Sequence, residues 1–244
     1  MRRIVIAGVA LLALCAGQAW GQSHRVHYTL LEQPPRALPK KILLLPAEIT
    51  VKEISVGGVP EKVPEWTKQA SDNVAREVAA LAATRNDFEL VQLPELTPEE
   101  RDLLEEYLGV YFQVAVAAHR LTSVAVGGWE HKRQRFDYTI GDGLSFLKQK
   151  SGADAVLMVI GEDVISSSGR KAAFVLAAAM GVGIAMGQSL LSVGVVSLDN
   201  GDLLWMHNDL SVSKDLKDAE SVREMLKTIM VAYPGLPAPK PAAK

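Results

Sequence analysis

Cysteine is almost missing from this sequence: Cys15 is the single one in 244 residues. It lies inside an N-terminal apolar run, so a chain cleaved after that run carries no thiol. Disulfide staples, thiol nucleophiles and cysteine-held zinc are then excluded. A dominant charge is missing too. The 26 Lys and Arg nearly balance 28 Asp and Glu, for a net charge of −2. Such a balance creates no field suited to nucleic acid. Catalytic signatures are likewise lacking. The sequence holds no G-x-S-x-G, no Walker loop, no H-E-x-x-H and no dinucleotide fingerprint. Gly181-Val182-Gly183-Ile184-Ala185-Met186-Gly187 imitates a glycine-rich loop. It does not lead from a strand into an amphipathic helix with the acidic partner that a dinucleotide site needs. No catalytic residue, cofactor or metal ligand is expected on these grounds.

What is present begins with a secretion signal. Arg2 and Arg3 precede the apolar stretch Ile4–Ala16, which is too short for a comfortable membrane span. Ala19-Trp20-Gly21 follows with small residues at the two positions a signal peptidase reads. Cleavage after Gly21 is the expectation, and an uncleaved anchor is the alternative. Leu14 stands before Cys15 where a lipoprotein signal wants a small residue, so lipidation is not expected. These features place the protein in a bacterial periplasm or at the inner face of an outer membrane. The remaining chain, 48% hydrophobic over the whole sequence, is long enough for one domain with a sizeable core. Residues 22–39, with Pro34, Pro35 and Pro39, read as an extended lead-in. Residues 40–233 read as a single α/β domain. Residues 234–244 form a Pro/Ala/Lys tail expected to be disordered.

Within the domain, Ile42–Leu45 is apolar on both faces, as a central strand is, and Ile49–Ile54 continues as extended chain until Gly57-Gly58-Val59-Pro60 breaks it. Val63–Ala83 keeps helical spacing, with Trp66, Ala70, Val74, Val78 and Leu81 on one face and Glu77 off it. A short strand follows at Phe88–Val91. Thr97-Pro98-Glu99-Glu100 is a capping box with proline at the first helical position, opening a helix to about His119. Leu121–Arg135 reads as irregular. A third helix spans about Asp142–Lys150 and stops at Gly152. Ala153–Ile160, extended by Glu162–Ile165, is the strongest buried strand, with Glu162 and Asp163 read as a strand end meeting water. Ser166–Gly169 reads as a turn. Leu190–Leu198, the turn Asp199-Asn200-Gly201-Asp202 and Leu203–Met206 make a hairpin. Asp218 caps a last helix. The order predicts an α/β (α+β) domain: a mixed sheet of about five strands flanked by helices, with an apolar Ala/Gly-rich insertion before the C-terminal hairpin.

That insertion is the main candidate site. Ala172–Leu198 carries no charged residue. Ala173, Ala177, Gly181 and Ala185 recur every four residues, as do Ala179, Gly183 and Gly187. On a helix each series is a stripe of small residues that lets another backbone approach. Fifteen helical residues reach only about 22 Å, short of a hydrocarbon core. The readings are internal packing on the sheet, contact with another protomer or a membrane surface, and insertion. The second candidate is polar. Trp129, Glu130, His131 and Asp137 concentrate an aromatic ring, two acids and an imidazole in one stretch. They are the candidates for acid–base work or metal binding, against a solvated loop with surface ion pairs.

Three blocks resemble the periplasmic and outer-membrane assembly proteins of the CsgG, LpoB and TolB N-terminal-domain type. They are Lys40–Pro46 (KKILLLP), Gly152–Leu157 (GADAVL) and Leu198–Trp205 (LDNGDLLW). The resemblance implies a secreted, non-enzymatic envelope protein acting by protein–protein contact in assembly or regulation. Its partners would be envelope proteins or further copies of itself. A small periplasmic hydrolase or metal-binding protein, and a peripheral membrane binder through residues 172–187, are the alternatives.

Overall fold

A computed structural model describes residues 22–122 and 127–234. The expected signal peptide and most of the expected tail lie outside the described residues. The chain begins with β1 (Gln22–Val26), a 3-10 turn at Tyr28–Leu30, β2 (Lys41–Leu44), β3 (Glu48–Ile54) and β4 (Pro60–Lys62). Next come α1 (Pro64–Ala83), β5 (Glu89–Gln92), α2 (Pro98–Thr122), α3 (Glu130–Gln134) and α4 (Ser145–Ser151). The chain closes with β6 (Ala155–Ser166), α5 (Ser168–Ala179), β7 (Ser189–Ser197), β8 (Leu203–Ser211) and α6 (Ala219–Val231).

The described strands form one mixed sheet in the order β1-β8-β7-β6-β2-β5. β6 is the organising strand. Its first half pairs in parallel with β2, Ile42 opposite Ala155, and its second half with β3, Glu48 opposite Ile160. Pro46, which has no N–H to donate, lies in the break between β2 and β3. On its other side β6 pairs antiparallel with β7, and the β7–β8 hairpin carries the sheet on to β1. Helices cover both faces. Val51, Leu157, Val193 and Trp205 pack in one core with Val74 and Val78 of α1 and Leu226 and Ile229 of α6. Val156, Met158 and Met206 pack in the other with Leu108 and Tyr111 of α2 and Leu147 of α4. This is the alternation that puts successive strand residues on opposite faces.

The α/β class is as the residue pattern predicts, with eight described strands rather than about five. The added strands are those with little apolar pattern. β1 (QSHRV) lies in the stretch that reads as a lead-in, β3 continues the extended chain after β2, and all of β4 (PEK) is exposed. Backbone pairing makes them strands. The capping box is formed: the Thr97 N–H donates to Glu100 Oε2 at 2.8 Å, and the Glu100 N–H to Thr97 Oγ1 at 3.3 Å. Gly152 ends α4 in the left-handed region at φ 67°. Two local readings are corrected. Ser166–Gly169 is no turn, because Ser167 caps α5 and accepts from the Arg170 N–H at 3.2 Å. Leu121–Arg135 contains α3. Glu77, off the apolar face of α1, is nonetheless buried where α1 meets α6, accepting from Arg223 Nε at 2.9 Å.

Candidate contact site

α5 and the loop behind it fill the connection from β6 to β7. Three devices fasten this connection to the sheet. Ser167 caps the helix. Arg170, buried, sends its guanidinium to the Ser55 carbonyl at 3.1 Å and to the Ala185 carbonyl at 2.9 and 2.6 Å. It thereby ties the β3–β4 turn, the helix and the returning loop together. Gly187 then passes so close to β6 that a Cβ there would lie 1.8 Å from the Val164 carbonyl oxygen. Its N–H donates to Ser166 Oγ at 2.9 Å, and the Val164 N–H donates to the Gln188 carbonyl at 2.9 Å.

Between these fastenings the block stands outside the body. Ala177 is buried and Ala173 half-buried, whereas Ala179, Gly181, Gly183 and Ala185 are exposed and Gly187 half-buried. The long small-residue stripes do not run along a helix. α5 ends at Ala179, the Val182 N–H turns back to the Ala177 carbonyl at 2.8 Å, and Gly181 takes φ 76°. Internal packing is therefore confined to one narrow side. Val175 is 65% exposed, Leu176 67% and Met180 75%, with Phe174, Val182 and Met186 also open. A helix apolar on its outer side is expected to be covered by something else.

The polar cluster is brought together but tied up. Glu130 accepts from Arg133 and from Gln134 Nε2 at 2.8 Å, and these bonds hold its carboxyl below the usual range. Asp137 is held low chiefly by Lys132 Nζ, 2.6 Å away. The His131 ring stacks on exposed Trp129 at 5.5 Å between centroids. Both carboxylates are engaged by cations, a poor state for a general base. Among the described residues no group of three His, Cys, Asp or Glu is placed to hold a metal.

A buried polar row lies at the end of β6, carried by no motif in the sequence. Asp163 is 1% exposed, whereas its neighbour Glu162 meets water and pairs with Lys52 at 2.6 Å. The reading of both as a solvated strand end is thus half wrong. The missed signal is period two: Leu157, Val159, Gly161 and Asp163 share one face of β6. The Ser189 hydroxyl lies 2.7 Å from Asp163 Oδ1 and 2.6 Å from the Lys214 carbonyl, while the Leu216 N–H donates to Asp163 Oδ2 at 2.8 Å. A hydroxyl has one proton to give. Both contacts are made at once when Asp163 is protonated and donates to Ser189, which then donates to Lys214. Burial raises the Asp163 pKa, in the same direction. The group borders a cleft of about 250 Å³ lined also by Lys171, Met186 and Val212. In that state the Ser189 proton is committed to the Lys214 carbonyl.

No family model and no curated protein matches the sequence. Among solved structures, two PelC dodecamers from Paraburkholderia phytofirmans are similar to it at 8% identity. One is a variant, with a TM-score of 0.33 over 86% of this chain and 97% of the other. The second has a TM-score of 0.34 over 84% and 93%. A likeness at that level defines neither a shared fold nor a shared role.

Proposed function

We propose that this is an exported, non-enzymatic protein of the bacterial envelope that works by contact, in assembly or regulation, through the apolar end around α5. The observation that carries the reading is the exposure of Phe174, Val175, Leu176, Met180 and Val182 on a segment fastened at both ends. A fastened apolar projection is a built surface, since exposing it to water without a partner is unfavourable by about 25 cal/mol per Å². The secretion signal in the sequence supports the compartment. The three blocks that resemble CsgG-type proteins fall side by side, on β2, at the start of β6 and on the β7–β8 turn. Envelope proteins or further copies of this chain are the expected partners, and nucleic acid is not. The test is a photo-crosslinking side chain placed in intact cells at position 176 or, as a control, at position 110 on α2. Adducts specific to position 176 are expected. Labelling at 176 no stronger than at 110 would contradict the reading.

A further inference from the structure

The connection β6–β7 is not the only apolar feature at its end of the sheet. Strand register places the end of β3 beside the end of β6, Ile54 opposite Ser166. It places the start of β7 beside the end of β8, Ser189 opposite Ser211. Three segments therefore leave the sheet together: the β3–β4 turn, the α5 connection and the segment after β8. Each carries exposed apolar side chains, with Val56 and Val59 on the first and Val212, 80% exposed, on the third. With the six on the α5 connection, nine of the fifteen well-exposed large apolar residues among the described ones lie at this end. The segments touch. A Cβ on Gly169 would meet Val56 Cγ2 at 3.1 Å, and Met186, Lys171 and Val212 line one cleft. This end also carries charge, with Lys214 and Asp215 in the cleft and Lys217 3.6 Å from Asp215, while the opposite end is crossed by Arg36 to Asp202 at 3.0 Å and Lys148 to Asp199 at 2.5 Å.

We propose that this end is a membrane-docking platform, on which the protein stands with its strands steep to a lipid surface and α5 immersed at the headgroup–acyl boundary. The proposal rests on the contact reading above and names the partner as lipid. Three observations favour lipid over a second protein. The first is the shape of the exposure. Phe174, Val175 and Leu176 are consecutive, so at 100° per residue they sweep about 200° of the helix circumference. A flat protein face covers one side of such a helix, whereas acyl chains close around it. Over residues 172–187 there is also no side-chain charge, hydroxyl, amide or imidazole to be satisfied. The second is where the chain enters. β1 begins at Gln22 opposite Asp209, at this same end, and the apolar run Ile4–Ala16 precedes it in sequence by residues 17–21. Five residues extend at most roughly 18 Å, so the chain enters the domain at the platform's end, close in sequence to its apolar run. The third is charge. Lys171, exposed and in no ion pair among the described residues, sits directly below the uncharged block, where anionic headgroups would lie. α5 has 12 residues, about 18 Å of helix, and so lies in the interface rather than spanning it.

The probe is the protein as exported from cells, mixed with vesicles of phosphatidylethanolamine and phosphatidylglycerol and floated on a density gradient. The wild-type chain is expected to float. Val175→Asp combined with Leu176→Asp, both solvent-facing, is expected to reduce partition at least about tenfold, while Val110→Asp on α2 leaves it unchanged. A wild-type chain that stays with the soluble fraction, or flotation indifferent to the double substitution, overturns the proposal. Sedimentation velocity without lipid separates the two failures. If the chain self-associates through α5 but ignores vesicles, lipid is wrong and contact stands. If it neither floats nor self-associates, lipid is wrong, and the crosslinking at position 176 decides whether the contact reading stands with another envelope protein.

Discussion

His207 shows how single buried residues set the acid limit of this protein. It is 3% exposed on β8, and neither ring nitrogen has a hydrogen-bond partner among the described residues. Its cross-strand neighbour is His24 on β1, with ring centroids 6.2 Å apart. Burial first, then the His24 charge, pushes the His207 pKa from 6.5 down to about 4. A base whose pKa is depressed on folding contributes stability above its unfolded value, and this is lost as pH falls through the folded one. Denaturant titrations at pH 7 and pH 4.5 should differ, with roughly 2–3 kcal/mol of the loss attributable to this ring. His207→Phe should flatten that dependence; an unchanged slope would show that the ring does not set it. Asp163 has the opposite sign. Its folded pKa is raised, so its contribution is full below the ordinary carboxylate range and wanes as pH rises through the folded value. Asp163→Asn keeps a neutral donor and acceptor and should be tolerated. Asp163→Leu strands Ser189 and the Leu216 N–H and should cost about 1–3 kcal/mol in urea midpoints read at pH 6. Glycines divide in the same way. A side chain at Gly187 collides with backbone, whereas one at Gly183 meets nothing within 4 Å. Gly187→Ala should therefore lower the thermal midpoint by an amount corresponding to roughly 1–3 kcal/mol, and Gly183→Ala should leave it within error.

Elements that bury a periodic face are legible in the sequence. α1, α2, α6 and the β7–β8 hairpin are where their apolar spacing, capping box and Asp-Asn-Gly turn put them, because burial, caps and turn chemistry are local signals. β1 and β4 were not legible. They are short and polar, and they become strands only because β8 and β3 offer free backbone edges. α5 was half legible. Its sequence announces an apolar block but not which side is covered, and its covering contacts come from Arg170 and Gly187, whose partners on β3–β4 and β6 are distant in sequence. The Trp129–Asp137 cluster was visible as a group of residue types. That its acids are consumed by Arg133 and Lys132 depends on the turn of α3, which residue types do not encode. The fastening of α5 makes a prediction at this scale. Arg170→Ala removes three donor contacts from carbonyls. Charged hydrogen bonds of this kind contribute about 1.5–3 kcal/mol. Protease cleavage within residues 180–188 should accelerate by at least about tenfold while the global unfolding midpoint moves little. Cleavage no faster than in the wild type would mean that the loop is held by other contacts.

The whole molecule is polarised along its strands. One end is laced by Arg36, Lys148, Asp199 and Asp202; the other gathers most of the exposed apolar side chains, with Lys171, Lys214 and Asp215 around its cleft. Helices on both faces leave the sheet's ends as the places where its connections are open. No described helix is long and apolar enough to cross a membrane, so attachment, as proposed, belongs to the surface of these connections. Export and apolar contact together predict where the protein resides and which residues keep it there. Cells producing the full chain can be fractionated into cytoplasm, periplasm and membranes, and the distribution compared with that of a chain carrying Val175→Asp and Leu176→Asp. The account predicts that the wild-type chain is absent from the cytoplasm and sediments with the envelope, and that the double variant is exported equally well but moves to the soluble periplasm. A wild-type chain retained in the cytoplasm, or an envelope association that the two aspartates leave untouched, would contradict it.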